Sequence, residues 1–146
     1  YCAATTSRIY CGFNERIRFT ELSLDGDSLR TLDVQLEPQA LTAAEQGEIE
    51  QEFVNSEFYA SLVVPETWPA YSNVVGDDRG RLWVTLWSKG RRTETNLVVV
   101  DTETLTSSTV TVPGDLFVSA VKGGKVYGRV VDGSGNPTVV RYAEQE

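Results

Sequence analysis

The sequence contains no histidine. That removes Ser-His-Asp and Cys-His nucleophilic chemistry and every histidine-ligated metal centre from the functions open to it. It contains no methionine either, so the expectation is of a chain that has been processed or that belongs to something longer. Basic residues are few beside acidic ones, 13 Lys and Arg against 21 Asp and Glu, for a formal net charge of −8. This balance argues against a nucleic-acid partner, because binding phosphate requires Lys and Arg to neutralise it. It argues equally against docking on anionic lipid. No apolar run approaches the roughly 18 residues that span a bilayer, and no signal peptide is visible, which is compatible with a secretory signal already removed.

Cysteine is nearly absent: only Cys2 and Cys11 occur. If Ala4 and Ile9 flank a turn centred on Thr6 and Ser7, position 2 falls opposite position 11 in a non-hydrogen-bonded pair, where side chains come closest. The pair reads either as a disulfide, which would suggest an oxidising compartment, or as two small buried thiols.

What is present is a chain of 146 residues, 40% hydrophobic, long enough for one domain with its own core. Most of it alternates with period 2. Strands are expected at the start of the chain, over Arg8–Phe13, Arg16–Leu24 and Leu29–Leu36, the last with Leu32, Val34 and Leu36 on one face. Four more are expected over Ser72–Gly76, Arg81–Trp87, Asn96–Asp101 and Ser108–Val112, and three over Leu116–Val121, Lys125–Val131 and Thr138–Tyr142. The connections are rich in Gly, Asp, Asn and Ser, as hairpin turns require. Asp25-Gly-Asp27, Asp77-Asp78 and Asp132-Gly-Ser-Gly135 lack the ligand alternation and closing glutamate of a calcium loop, and read as turns. One helix interrupts the pattern. Thr42-Ala-Ala-Glu45 is a capping box, and Ile49 and Phe53 lie four apart on one face. Gly47 inside it costs about 1 kcal/mol against alanine, so the helix is expected to be held by packing.

The second strand of each group opens with a basic, an aliphatic and an aromatic residue: Arg8-Ile9-Tyr10, Arg81-Leu82-Trp83 and Lys125-Val126-Tyr127. The last two copies lie 44 residues apart and the first two 73 apart. The excess of 29 residues is close to the length of the helical segment Glu37–Pro65. Leu24-Asp25, Leu29, Val34 and Leu36 align with Val100-Asp101, Leu105, Val110 and Val112 at an offset of 76. A period near 44 built of four antiparallel strands is the pattern of a β-propeller blade. The expected fold is therefore all-β: one complete blade over 71–113, partial blades over 1–37 and 114–146, and a helical insertion and loop over 38–70.

Glu37-Pro38-x-x-Leu-Thr-x-Ala-Glu45, with Pro69-Ala-Tyr71 and Asp78-x-Gly-Arg-Leu-Trp-Val84, resembles bacterial six-bladed β-propeller proteins of the NHL-like kind. The resemblance covers about residues 8–142 and implies the C-terminal blades of a longer propeller, extracytoplasmic, whether periplasmic, secreted or lipid-anchored. It brings no catalytic signature.

Within that frame Trp83 and Trp87, four apart in a strand, share a face. Trp83 belongs to the repeated triplet and is expected in packing. Trp87 stands beside the basic loop Ser88–Thr95, whose Arg91 and Arg92 read either as solvated or as an anion-reading pair. Trp68, Tyr71, Trp87, Arg91 and Arg92 are the candidate ligand contacts, for a protein or carbohydrate ligand. No metal or cofactor is expected. Asp77, Asp78 and Glu94 are the carboxylates a glycosidase would draw on, but no spacing marks a pair. The leading expectation is a non-catalytic binding or scaffold module. The alternatives are part of a propeller hydrolase or lyase with its catalytic residues elsewhere, and a protein that self-associates through its open half-blades.

Overall fold

A computed structural model describes residues 1–57, 59–90 and 92–143. Among the described residues, eleven strands form three antiparallel sheets, with one α-helix between the first and the second. The fold class is all-β. The N-terminal sheet is β1 (Cys2–Ala4), β2 (Ile9–Cys11), β3 (Arg18–Leu22) and β4 (Ser28–Asp33), in that order. The middle sheet is β5 (Tyr71–Gly76), β6 (Arg81–Leu86), β7 (Glu94–Asp101) and β8 (Ser107–Pro113). The C-terminal sheet is β9 (Leu116–Lys122), β10 (Lys125–Val131) and β11 (Pro137–Ala143). Each strand pairs with its neighbour in sequence, so every sheet is a meander, and no sheet closes on itself.

The middle sheet is apolar on both faces, which the continuous run Leu97-Val98-Val99-Val100 requires of a strand covered on both sides. Leu82, Val84, Val98 and Val100 pack with Tyr10, Ile17, Phe19 and Leu32 of the N-terminal sheet. Trp83, Leu97 and Val99 pack with Leu116, Val118 and Val126 of the C-terminal sheet. The three sheets are thus stacked in chain order. The first strands adjoin, β5 lying against both β1 and β9, and the Asn73 amide donates to the Val118 carbonyl at 2.7 Å across one of these seams.

At the other seam the backbones come so close that only glycine fits: a methyl added at Gly76 would sit 2.1 Å from the Ala4 carbonyl oxygen. A polar lock joins the same two sheets further out. The Tyr10 hydroxyl donates to Thr102 Oγ1 (3.1 Å), Thr102 donates to the Gly80 carbonyl (2.6 Å), and Arg30 donates to the Thr102 carbonyl. Glu21, buried on the same face, holds Arg30 at 2.6 Å and Arg8 at 3.1 Å. The Glu21 hydrogen bond raises the Arg30 pKa further above its already high ordinary value.

Several elements differ from the sequence reading. β3 begins at Arg18 because residues 14–17 form a turn, yet Ile17 stays fully buried in phase with Phe19 and Glu21. β4 ends at Asp33, so Leu36 is 40% exposed rather than aligned with Leu32 on a buried face. The ladders also correct the repeat. Tyr10 pairs with Glu21 and Trp83 with Val99, so equivalent residues of β3 and β7 are 78 apart, not 76. Leu105 therefore does not match Leu29: it sits in the β7–β8 turn at φ 58°, whereas Leu29 lies within β4. A shift of two residues preserves the face, which is why the alignment by apolar pattern missed it.

The helix α1 (Ala43–Phe53) has the expected capping box, with the Glu45 amide donating to Thr42 Oγ1 and the Thr42 amide to Glu45 Oε2. It has no buried residue. Ile49 is half-buried and Phe53 is 40% exposed, so the expected packing of this face does not occur. Its tether is ionic: Lys89 reaches Glu45 at 3.1 Å and Glu48 at 3.6 Å. Among the described residues no helix is long and apolar enough to cross a membrane.

Two glycines make opposite predictions. Gly76→Ala forces the β1–β5 seam apart and should destabilise the protein by about 2 kcal/mol or more. Gly47→Ala meets nothing within 4 Å and should stabilise it by up to about 1 kcal/mol. Urea denaturation of both variants checks the pair.

Candidate functional site

Because every sheet is a meander, its connections alternate between two ends. Tight turns close one end, including Asp77–Gly80 and Thr102–Thr106. The long connections gather at the other: Gly12–Ile17, the segment from Val34 to Ala70, and the β6–β7 loop.

The Asp77 carboxylate organises its turn. It accepts from the backbone N–H groups of Arg79 (2.9 Å) and Arg81 (2.8 Å), from Arg81 Nε (2.7 Å) and from the indole N–H of Trp83 (3.0 Å). Burial would push its carboxyl up, but these bonds outweigh it and hold the group below the usual carboxylate range. Gly80 completes the turn at φ 79°. Asp78 accepts from the Gly123 amide (3.0 Å), linking this turn to the β9–β10 turn. Asp101 likewise accepts backbone N–H groups of its own turn, and Asp132 does the same in the β10–β11 turn at the other end of its sheet.

At the opposite end two tryptophans meet. Residues 39–41 and 66–68 run antiparallel through an Ala40–Thr67 bridge, with the Trp68 amide donating to the Gln39 carbonyl at 2.8 Å and the Leu41 amide to the Glu66 carbonyl at 2.9 Å. Trp87 lies just past the end of β6, its amide donating to the Ala70 carbonyl at 3.2 Å. The two indoles stack with centroids 4.3 Å apart and planes 13° from parallel. Lys89 Nζ stands 5.5 Å from the Trp68 ring centroid while it binds Glu45, so the stack and the helix share one cation. Trp68 borders a cavity of about 540 Å³ whose walls include Glu15, Arg16, Glu37, Glu66 and Pro69. The Trp68 indole N–H is buried and has no hydrogen-bond partner among the described residues. Such an orphan donor costs roughly 1–3 kcal/mol.

The structure brings Trp68 and Trp87 together and gives Tyr71 and Arg92 other roles. Trp83 is buried against the C-terminal sheet, the packing expected of it, whereas Trp87 lies past the end of β6 and does not share a strand with it. Tyr71 is a core residue and not a surface contact: it is fully buried between Tyr1, edge-on at 5.3 Å, and Phe19 at 5.5 Å. Its hydroxyl is buried without a partner among the described residues, and burial pushes its pKa up to about 12, with a smaller contribution from Tyr1. Arg92 is engaged within the protein, with Nε on Asp115 (2.8 Å) and Nη1 on the Leu86 carbonyl (3.1 Å). It clamps the β6–β7 loop to the β8–β9 connection. Arg91 lies outside the described residues.

Cys2 and Cys11 stand opposite each other with Cα atoms 4.2 Å apart and are joined in a disulfide on the face of the N-terminal sheet turned away from the core. Cys2 is exposed, so the alternative of two buried thiols does not describe this pair. Sequence reasoning missed Lys89 and the cavity walls. Lys89 was visible as part of a basic loop, but nothing local tied it to Glu45, 44 residues earlier. No protein-family model matches the chain, and comparison with curated proteins and with solved structures found no match.

Replacing Tyr71 by Phe removes an unsatisfied hydroxyl and keeps the ring, so the variant should be as stable as the parent or about 1 kcal/mol more stable in denaturant titration. The helix cap carries a pH signature. Hydrogen bonds from the Thr42 amide, Lys89 and the Thr42 hydroxyl lower the Glu45 carboxyl from 4.5 to about 2. A lowered folded-state pKa stabilises fully above the unfolded value and is lost as pH falls through the folded one. Helical circular dichroism should therefore decline between pH 4.5 and about 2, and Glu45→Gln should abolish that decline.

Proposed function

We propose that this chain is a non-catalytic binding or scaffold module, built of β-propeller blades and forming part of an extracytoplasmic six-bladed propeller. Its ligand contacts come from the long connections around Trp68 and Trp87. The blade reading is supported by three successive meanders stacked in chain order, with their first strands side by side. It is supported too by the repeated triplet, which occupies the start of the second strand of each sheet. The resemblance to NHL-like propellers points the same way. An oxidising location fits the exposed Cys2–Cys11 disulfide.

The observation that carries the ligand reading is the 540 Å³ cavity bordered by Trp68, whose ring is held in place by its stack on Trp87. A concave site bordered by the Trp68 ring, by prolines and by Glu15, Arg16, Glu37 and Glu66 suits a small polar ligand or a loop of a protein. Two of the three carboxylates that acid–base catalysis would draw on are engaged in turns, which supports the non-catalytic form. Asp77 is saturated by four donors and Asp78 is held by a turn amide.

A glycan and peptide panel should yield a binder to the wild-type protein. Trp68→Ala, which removes the ring that borders the cavity, should weaken that binder about tenfold in calorimetry. A panel without binders, or equal affinity for the variant, would sink the proposal.

A further inference from the structure

One carboxylate of the helical segment serves two elements at once. Glu45 Oε2 accepts from the Thr42 amide and hydroxyl, both at 3.0 Å, and so closes the cap of α1. Glu45 Oε1 accepts from Lys89 Nζ at 3.1 Å. That ammonium lies 5.5 Å from the centroid of the Trp68 ring, which stacks on Trp87 and borders the cavity. Two side chains, Glu45 and Lys89, therefore join the cap of a helix to the border of the candidate site.

The helix depends on that connection. α1 has 11 residues, Gly47 among them, and a helix of this length is marginal in water without tertiary contacts. No residue of α1 is buried, and no strand shares an extended contact with it among the described residues. Its tether is the pair of ionic contacts from Lys89 to Glu45 and Glu48. The base of the segment is held differently. The Ala40–Thr67 bridge and its flanking amide bonds pin both ends, where Glu37, Pro38, Pro65 and Glu66 stand in the cavity wall. The segment is thus fixed by backbone where it meets the cavity and by charge at its helix.

We propose that α1 is an ionic-strength-sensitive switch on the Trp68–Trp87 site, with Lys89 as the positioning residue that couples the two. With Lys89 paired, the cap is complete, the helix is formed and the ammonium stays over Trp68. When salt screens the pair, the helix frays from its cap and the Trp68 ring loses the charge that helps to fix it on Trp87. The Lys89 side chain is 55% exposed, so bulk ions reach it. A ligand that needs Trp68 in its present place binds more tightly to the paired form, because the site is then already ordered. This inference rests on the reading of the cavity as a ligand site and names the regulation of that site.

Two readouts on the free 146-residue chain test the coupling. One is cleavage within α1 by a glutamate-specific protease, measured against an unstructured reference peptide. The other is the exciton couplet that stacked indoles give in circular dichroism. Between about 0.01 M and about 1 M salt the screening length falls from about 30 Å to about 3 Å. Over that range cleavage of the parent should accelerate about fivefold, and the couplet should weaken. Lys89→Gln should show fast cleavage and a weak couplet already at low salt, with no further response. Lys89→Arg should restore both, and Lys122→Gln, which removes an exposed lysine from the C-terminal sheet, should behave as the parent. A parent indifferent to salt, a Lys89→Gln variant that matches the parent, or a couplet that stays constant while cleavage changes overturns the inference. A binder from the panel should bind Lys89→Gln about fivefold more weakly at low salt, and equal affinity overturns the regulation while leaving the ligand reading intact. A panel without binders removes the ligand reading and the regulation with it, whereas the coupling of helix to stack is decided by the two readouts on the free chain.

Discussion

Leu82, Val84, Val98 and Val100 leave one face of the middle sheet, and Trp83, Leu97 and Val99 leave the other, so that sheet has no face to give to water. An apolar surface of this kind is stable only when covered, at roughly 25 cal/mol for each Å² removed from solvent. The other two sheets are its covers. Their strand lengths, the close approach at Gly76 and the seams to β1 and β9 are the geometry by which that coverage is achieved. Polar contacts then fix the alignment that burial alone leaves loose. Tyr10 on Thr102, Asn73 on Val118 and Asp78 on Gly123 each join one sheet to another at a defined height.

The two ends of the stack do different work. Tight turns at one end are governed by local chemistry, in which an Asp carboxylate replaces missing backbone partners over a few residues. Asp77 does this most fully, and its four donors include the side chain of the neighbouring Trp83. The long connections at the other end have no such local programme. They are held by contacts between distant residues: Trp68 on Trp87, Lys89 on Glu45, Arg92 on Asp115. A cavity bordered by Trp68 arises there, where the backbone is not committed to a ladder.

Much of the fold was legible in the sequence because its signals are local. Period-2 alternation located the strands of the middle and C-terminal sheets to within about two residues, and Thr42 with Glu45 marked the start of the helix. The pairing of Cys2 with Cys11 followed from the turn between them. The candidate site was less legible. Tyr71 carries the same local pattern whether it faces a ligand or a core, and only the approach of Phe19 and Tyr1 buries it. Ile49 and Phe53 marked an apolar helix face, but a face says nothing of whether a partner arrives. Trp68 and Trp87 gave no sign of each other, since stacking across 19 residues leaves no periodic trace.

The sequence by itself determined the strand pattern, the turns, the helix cap and the repeat, because each depends on hydrogen bonds and steric preferences within a few residues. It determined faces but not heights: a two-residue slip keeps every side chain on its side, and so the repeat was read at 76 where the ladders stand at 78. Tertiary structure alone decided which faces were covered, which arginine was consumed by a carboxylate and which indoles met. Those outcomes depend on how separate elements approach one another, and the free energy that settles them is spread over contacts far apart in the chain.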